Sequence, residues 1–181
     1  MITVYTLGHS THPIQEFLAI LKKYGIQELV DIRTVPKSRH NPQFNLDLLA
    51  DVLTKNGIGY VHLKELGGFR RPHKDSPNKG WEHPAFRGFA DYMQTKEFEK
   101  GLHHLLTIAA TKTVAIMCAE AVPWRCHRRL ISDALLIRGI TVMEILSLKE
   151  AHPHLLTPWA HVEDLNITYP PQTLDSEPKK P

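Results

Sequence analysis

Residues 113–136, Thr-Val-Ala-Ile-Met-Cys-Ala-Glu-Ala-Val-Pro-Trp-Arg-Cys-His-Arg-Arg-Leu-Ile-Ser-Asp-Ala-Leu-Leu, predict a buried strand, a turn and a helix. The apolar run 113–117 is typical of a strand buried on both faces, and residues 123–138 predict a helix that Gly139 ends. The turn between them holds both cysteines of the chain, a glutamate and a histidine. Because α/β proteins bind ligands at such turns, this segment indicates a chemical site without naming a reaction.

The whole chain has the size and composition of an ordinary globular protein. It has 181 residues, of which 42% are hydrophobic and 23% charged, so we expect one α/β domain over residues 1–169 and a flexible tail over residues 170–181. The formal charge of +3 is compatible with an anionic ligand but does not establish nucleic-acid binding. Residues 1–5 do not resemble a signal peptide, and no apolar run reaches the roughly 18 residues that span a membrane. We therefore expect a cytoplasmic protein, with no membrane partner and with free thiols.

Strand and helix patterns alternate along the chain. Five strands are predicted, at residues 2–7, 28–32, 60–63, 113–118 and 141–146, and amphipathic helical segments separate them. Residues 64–84 break this alternation with a long loop, which in a compact domain is usually functional or disordered. The predicted fold is a three-layer α/β arrangement, with a mainly parallel five-stranded sheet and helices on both faces.

The loops that follow these strands should meet at one edge of the sheet. Right-handed crossovers place the carboxyl ends of parallel strands together, so groups far apart in sequence converge there. The loops carry Gly8-His9-Ser10, Asp31 with Arg33, Gly67-Gly68, and the segment from Cys118 to His127. We therefore expect a single cleft at that edge.

Four residues are the candidate catalytic groups. Cys126 and His127 are predicted in the first turn of a helix, whose dipole and free N–H groups stabilise a thiolate. Cys118 is either a second thiol at the cleft floor or a small buried side chain, and Glu120 is either a general base or a member of an ion pair. These ligand types could also bind zinc, but their spacing matches neither CxxC nor HExxH, so no metal site is predicted and the cofactor is left open.

A second group is expected to bind the substrate. Arg33 could clamp an anion through two hydrogen bonds, and Asp31 could brace its loop. Arg39 lies in a basic loop with aromatic residues nearby, a combination that suits nucleotides or single strands. The full predicted set is Gly8, His9, Ser10, Asp31, Arg33, Arg39, Asn41, Gly67, Gly68 and Arg128.

Six segments stand in order along the chain: Thr6-Leu7-Gly8-His9-Ser10, Val30-Asp31-Ile32-Arg33 with Pro36, Arg39-His40-Asn41-Pro42-Gln43-Phe44, Leu63-Lys64-Glu65-Leu66-Gly67-Gly68, Phe89-Ala90-Asp91-Tyr92-Met93, and Met117-Cys118-Ala119-Glu120 with Cys126-His127-Arg128. Taken together, they resemble the Domain of Unknown Function 488 family. The resemblance covers about residues 3–146 and implies a single α/β domain whose strand-end motifs are the family signature. It implies no substrate.

A looser similarity to rhodaneses rests on the Asp31-Ile32-Arg33 motif and on Cys118 at a strand end. Rhodaneses carry sulfur on a cysteine in that position. The residues after Cys118 lack the compact glycine-containing loop that cradles a persulfide, which argues against sulfur transfer.

These observations favour an enzyme that acts on an anionic, nucleotide-like or nucleic-acid-derived substrate in a basic cleft. Two alternatives stay open besides rhodanese-like thiol chemistry. One is a module that binds a nucleotide or nucleic acid without catalysis, and the other is a structural protein whose cysteines only pack. The oligomeric state is not predicted.

Overall fold

The computed structural model describes residues 2–172, and parallel strands form the centre of its fold. Its strands are β1 (Thr3–Gly8), β2 (Glu28–Asp31), β3 (Gly59–His62), β4 (Val114–Cys118), β5 (Thr141–Ile145), β6 (Ala151–Pro153), β7 (His161–Glu163) and β8 (Asn166–Thr168). Its α-helices are α1 (Ile14–Lys23), α2 (Leu46–Lys55), α3 (Pro84–Tyr92), α4 (Lys96–Ala109) and α5 (Arg128–Leu136). Most of the predicted tail, residues 173–181, lies outside the described part of the chain.

The main sheet has six strands in the order β3-β2-β4-β1-β5-β6, and β7 pairs with β8 separately. The first five strands of that order are parallel, while β6 runs antiparallel to β5. The prediction of a five-stranded sheet was therefore wrong in its strand count, although the sheet is mainly parallel as expected. The sixth strand has only three residues and lies half-exposed or exposed at the sheet edge, so it is too short to produce a period-two pattern.

Helices cover both faces of the sheet because the strands alternate their apolar side chains between the faces. On β4, Ala115 and Met117 pack with buried residues of α1 and α2, such as Phe17 and Leu49. Val114 and Ile116 pack on the other face, with buried residues of α3, α4 and α5. The structure thus has three layers. None of the helices among the described residues has the length and apolar character that a membrane crossing requires.

The helix predicted at residues 123–138 is interrupted at Cys126. A 3₁₀ turn, Pro123–Arg125, is followed by Cys126 in an extended conformation (φ −135°, ψ 145°), and α5 starts only at Arg128. The amide of Cys126 donates to the carbonyl of Pro123, which closes the turn before the chain extends. Cys126 therefore precedes the helix, and His127 occupies its N-cap position.

A buried carboxylate, Asp91 on α3, organises the long loop of residues 64–84. Its oxygens accept hydrogen bonds from the amide of His73 (2.8 Å), the hydroxyl of Ser76 (2.6 Å) and the side-chain amide of Asn78 (2.7 Å). The Asn78 side-chain oxygen in turn accepts from the amide of Tyr169 (2.8 Å). The loop and the segment after β5 are thus joined through Asn78.

Buried polar contacts also tie the segment after β5 to α5. The ring of His154 lies between the carboxylates of Asp133 and Glu144, at 2.7 Å from each. Asp133 accepts further hydrogen bonds from the hydroxyl of Tyr169 (2.8 Å) and the amide of Thr157 (3.1 Å). These groups are satisfied by one another, which is the condition for burying them at acceptable cost.

Candidate functional site

The carboxyl ends of β1 and β4 lie side by side, with Gly8 opposite Cys118, and the chain leaves them in opposite directions. From β1 it passes through α1 to β2, and from β4 it passes through α5 to β5 on the other face of the sheet. Such a topological switch point opens a crevice at the sheet edge, where α/β proteins bind ligands.

A cavity of about 720 Å³ occupies this crevice. Seven of the predicted site residues line it: His9, Arg33, Gly68, Cys118, Glu120, Cys126 and His127. Several other residues that line the cavity are absent from the predicted site set, among them Lys37, His83, Phe86, Trp124 and Arg125. Two of these, Trp124 and Arg125, lie between the two cysteines in sequence, and this position is the signal that could have identified them.

Two thiols and an imidazole form a cluster in the cavity wall. The sulfur atoms of Cys118 and Cys126 and a ring nitrogen of His127 all lie within 4.8 Å of one another. His127 Nε2 lies 3.0 Å from the carbonyl oxygen of Leu66, so the neutral ring carries its proton there and leaves Nδ1 as an acceptor. Nδ1 lies 3.7 Å from the sulfur of Cys126. The ring is therefore oriented with its free nitrogen toward the thiols.

The surroundings of the two thiols shift their pKa values in opposite directions from the ordinary value of cysteine. Burial by itself raises the pKa of Cys126. It is outweighed by the hydrogen bond from Cys118, by the His127 ring, whose Nδ1 takes the thiol proton and then donates to the sulfur as a positively charged group, and by the charge of Arg128, so the pKa falls well below its ordinary value. The hydrogen bond to Cys126, together with burial, raises the pKa of Cys118 well above its ordinary value. The amide of Arg128, the first residue of α5, also donates to the Cys126 sulfur at 3.5 Å. Cys126 is thus the thiol that ionises first.

A histidine–arginine–aspartate network forms another part of the cavity wall, to which His9 and Arg33 contribute lining side chains. The Arg33 guanidinium donates to both oxygens of Asp31 and, at 3.3 Å, to Nε2 of His9. The other ring nitrogen of His9 lies 2.9 Å from the carbonyl of Ser10, so it carries the proton. Burial and the charge of Arg33 lower the pKa of His9 to about 4, which keeps its ring neutral near pH 7.

Most N–H groups of Arg33 donate hydrogen bonds within this part of the wall. Its Nη2 also donates to the carbonyl of Phe44 (2.8 Å), and the hydrogen bonds to Asp31, His9 and Phe44 occupy four of its five N–H groups. A single N–H of Nη1 is left for a ligand, so Arg33 does not offer the cavity the two-pronged anion clamp that was predicted.

Gly8 and Arg128 both contact the backbone of the loop after β4. A Cβ atom on Gly8 would lie 1.7 Å from the carbonyl oxygen of Glu120, so only glycine permits this approach. Arg128, which is 1% exposed, donates to the same oxygen (2.6 Å) and to the hydroxyl of Thr6 (3.0 Å). These two residues position the loop and do not themselves line the cavity.

Gly68 has a comparable role beside the cluster. A Cβ atom there would lie 2.5 Å from Nδ1 of His127, so the absence of a side chain leaves room for the imidazole. Gly67 packs in the same way against Thr34. The other predicted residues outside the cavity lining are Ser10, Asp31, Arg39 and Asn41, of which Asp31 is fully buried and Arg39 is exposed.

The comparisons with known proteins give one family. Residues 13–135 match the family model described as Domain of unknown function DUF488, a shorter range than the 3–146 over which the motifs resemble that family. No curated protein and no solved structure matches the chain significantly.

Proposed function

Because the chain belongs to the DUF488 family, whose description assigns no activity, we propose a function from its site: an enzyme that acts on an anionic, nucleotide-like substrate. One observation carries the proposal. Cys118, Cys126 and His127 meet in the wall of a cavity at the switch point of the sheet, where a substrate can reach them. Nucleophilic and proton-transferring groups gathered in a concave site are typical of catalysis.

The side chains around the cluster support the proposed substrate class. Phe69 is 80% exposed and Trp124 is 54% exposed, although both are large apolar side chains that globular proteins normally bury. Aromatic faces presented beside a cavity suit stacking with a planar base. Lys37 and Arg125, which are exposed and line the same cavity, supply positive charge for a phosphate or carboxylate.

Glu120 is the proposed proton acceptor. It is exposed and lines the cavity, and among residues 2–172 its carboxylate forms no ion pair. An unpaired carboxylate at the edge of a cavity is available to take a proton from a bound group.

Binding of mononucleotides and short single-stranded oligonucleotides, measured by calorimetry at low salt, tests the substrate class. Phe69→Ala and Trp124→Ala should each weaken binding roughly 5- to 150-fold, because stacking contributes about 1–3 kcal/mol per base. Lys37→Ala should reduce both the affinity and its salt dependence. Arg39→Ala is the matched control, since Arg39 is exposed in the same loop but does not line the cavity. Equal losses from Lys37→Ala and Arg39→Ala would refute the cavity as the binding site.

Turnover of the bound compounds separates an enzyme from a binding module. Cys126→Ser and Glu120→Gln should retain binding and lose turnover, because the proposal assigns both side chains to the reaction and not to substrate binding. If binding persists and no turnover is found for any bound compound, the non-catalytic alternative is correct. Transfer of sulfur from thiosulfate, abolished by Cys118→Ser, would instead favour the rhodanese-like alternative.

A further inference from the structure

We propose that Cys118, Cys126 and His127 bind one zinc ion whose fourth coordination position faces the cavity. This inference rests on the proposed function only for the use of that position, since binding of the metal is independent of any substrate. Thiolate and imidazole are the ligands that zinc prefers, and two cysteines with one histidine form a recognised catalytic donor set.

The positions of the donors are close to those of a tetrahedral site. With zinc–sulfur distances of about 2.3 Å and zinc–nitrogen distances of about 2.0–2.1 Å, a tetrahedron separates nitrogen from sulfur by about 3.5 Å and the two sulfurs by about 3.8 Å. The observed distance between His127 Nδ1 and the Cys126 sulfur is 3.7 Å, and no pair in the cluster exceeds 4.8 Å. Small side-chain rotations suffice to close the site around an ion.

His127 has the surroundings of a metal ligand. A ligating histidine usually donates its other ring N–H to a carbonyl or carboxylate, which fixes the orientation of the ring. Here Nε2 lies 3.0 Å from the Leu66 carbonyl and Nδ1 is directed at the thiols. The ring also packs edge-on against Phe89, with 4.9 Å between centroids, and Gly68 leaves room beside Nδ1. The contacts with Leu66, Cys126 and Phe89 therefore hold Nδ1 where a ligand atom is needed.

The charges of the cluster also favour a divalent cation. Two thiolates at this separation repel each other strongly in a buried site, and a dication neutralises both. The amide of Arg128 donates to the Cys126 sulfur at 3.5 Å, a contact that stabilises sulfur in its anionic, ligating form.

The cluster has three protein donors, which is the number that catalytic zinc sites use. Within residues 2–172, no further cysteine, histidine or carboxylate supplies a fourth donor to the group. Structural zinc sites are closed by four protein ligands, whereas catalytic sites leave one position for water or substrate. All three donor residues line the cavity, so that position opens toward the proposed substrate site.

Metal titration of the reduced, full-length protein tests this inference. After treatment with a chelator, the protein should bind one zinc ion per chain in equilibrium dialysis. With Co²⁺ as the probe, it should show ligand-field bands of tetrahedral cobalt together with thiolate-to-cobalt charge transfer, and Zn²⁺ should abolish them.

Single substitutions identify the ligands. Cys118→Ser, Cys126→Ser and His127→Gln should each weaken zinc binding by more than the roughly 10- to 100-fold that loss of an outer-shell partner costs. His83→Asn is the matched control, because His83 lines the same cavity outside the cluster and asparagine retains its N-cap role on α3. Circular dichroism establishes that each variant is folded.

Two results would overturn the zinc site. One is a folded wild-type protein that binds no stoichiometric zinc, and the other is ligand variants that bind zinc as tightly as His83→Asn does. A failure of this kind leaves the proposed enzyme with free thiols as its reactive groups. Conversely, a bound zinc ion in a protein whose cavity accepts no anionic ligand would refute the proposed function alone.

Discussion

Raising the pH from 6 to 9 is expected to destabilise the protein through one buried side chain, His154. The residue is 6% exposed and lies between the carboxylates of Asp133 and Glu144. Burial lowers its pKa, but the hydrogen bonds and charges of the two carboxylates outweigh burial and raise the pKa from 6.5 to about 8. The protonated ring can donate one N–H to each carboxylate, whereas the neutral ring can donate only one.

The expected loss of stability follows from this shift. The pKa is higher in the folded than in the unfolded state, so the stabilisation is complete below pH 6.5 and is lost as the pH rises through about 8. A shift of about 1.5 units at 1.36 kcal/mol per unit corresponds to an upper limit of about 2 kcal/mol in the free energy of unfolding.

Urea denaturation at pH 6, 7, 8 and 9, in the presence of a chelator, measures the effect. The wild-type protein should lose up to about 2 kcal/mol across this range beyond the loss seen in His154→Gln. His152→Gln is the matched control, because His152 lies two residues away on β6 and is exposed. His154→Gln should also be less stable at pH 6 by about 3–5 kcal/mol, since it leaves a buried carboxylate poorly paired. The reasoning is refuted if the wild type and His154→Gln lose equal stability between pH 6 and pH 9.

Three further outcomes are expected. Between pH 7 and pH 4 the free energy of unfolding of the wild-type protein should fall by up to about 3 kcal/mol more than that of His9→Gln, as measured by urea denaturation. The reason is that the pKa of His9, about 4 in the folded state, is below its unfolded value, so protonation favours unfolding. Gly68→Ala should displace His127 and weaken zinc binding about 10-fold or more in the dialysis assay. Gly57→Ala is its control: Gly57 has open space around it but a φ of +73°, so this substitution should cost about 1 kcal/mol of stability and leave the zinc affinity unchanged. Gly8→Ala should lower the melting temperature by about 10 °C or more, since its Cβ would overlap the backbone of the loop after β4; a melting temperature within 2 °C of wild type would contradict the close approach.

Much of the sheet could be predicted from the sequence because its parallel strands are buried on both faces. Such strands appear as short apolar runs, and the run 113–118 corresponds to β4, Val114–Cys118. Their carboxyl ends lie on a common edge, which is why residues as distant as His9 and Cys126 line one cavity.

The break before α5 could not be predicted from local patterns. The apolar spacing of residues 128–138 predicts a helix, and Pro123, a favourable first residue, extends that predicted helix back to residue 123. The chain nevertheless extends at Cys126, whose sulfur contacts Cys118 and His127. A tertiary contact of this kind overrides helix propensity without leaving a periodic signal.

The sequence predicts both cysteines in one cleft, but not how closely their sulfur atoms and His127 approach one another. Zinc motifs are identified by ligands within one turn or one helix, whereas here a strand end carries Cys118 and the approach to α5 carries Cys126 and His127. Arg33 shows a different limit of the sequence. A strand-end arginine predicts an anion clamp, yet Asp31, His9 and Phe44 together occupy four of its five N–H groups.

The hydrogen bond between Asn78 and Tyr169 determines where a shortened version of this protein can end. The matched range ends at residue 135, inside α5, and begins after β1, although β1 lies between β4 and β5 in the sheet. Beyond residue 135, Tyr169 supports the loop that carries Gly68 and Phe69 through its contact with Asn78, and His154 neutralises Asp133. The range that the family model matches is therefore shorter than the smallest fragment we expect to fold. A minimal version of this protein should be cut after Tyr169 and not where the similarity stops.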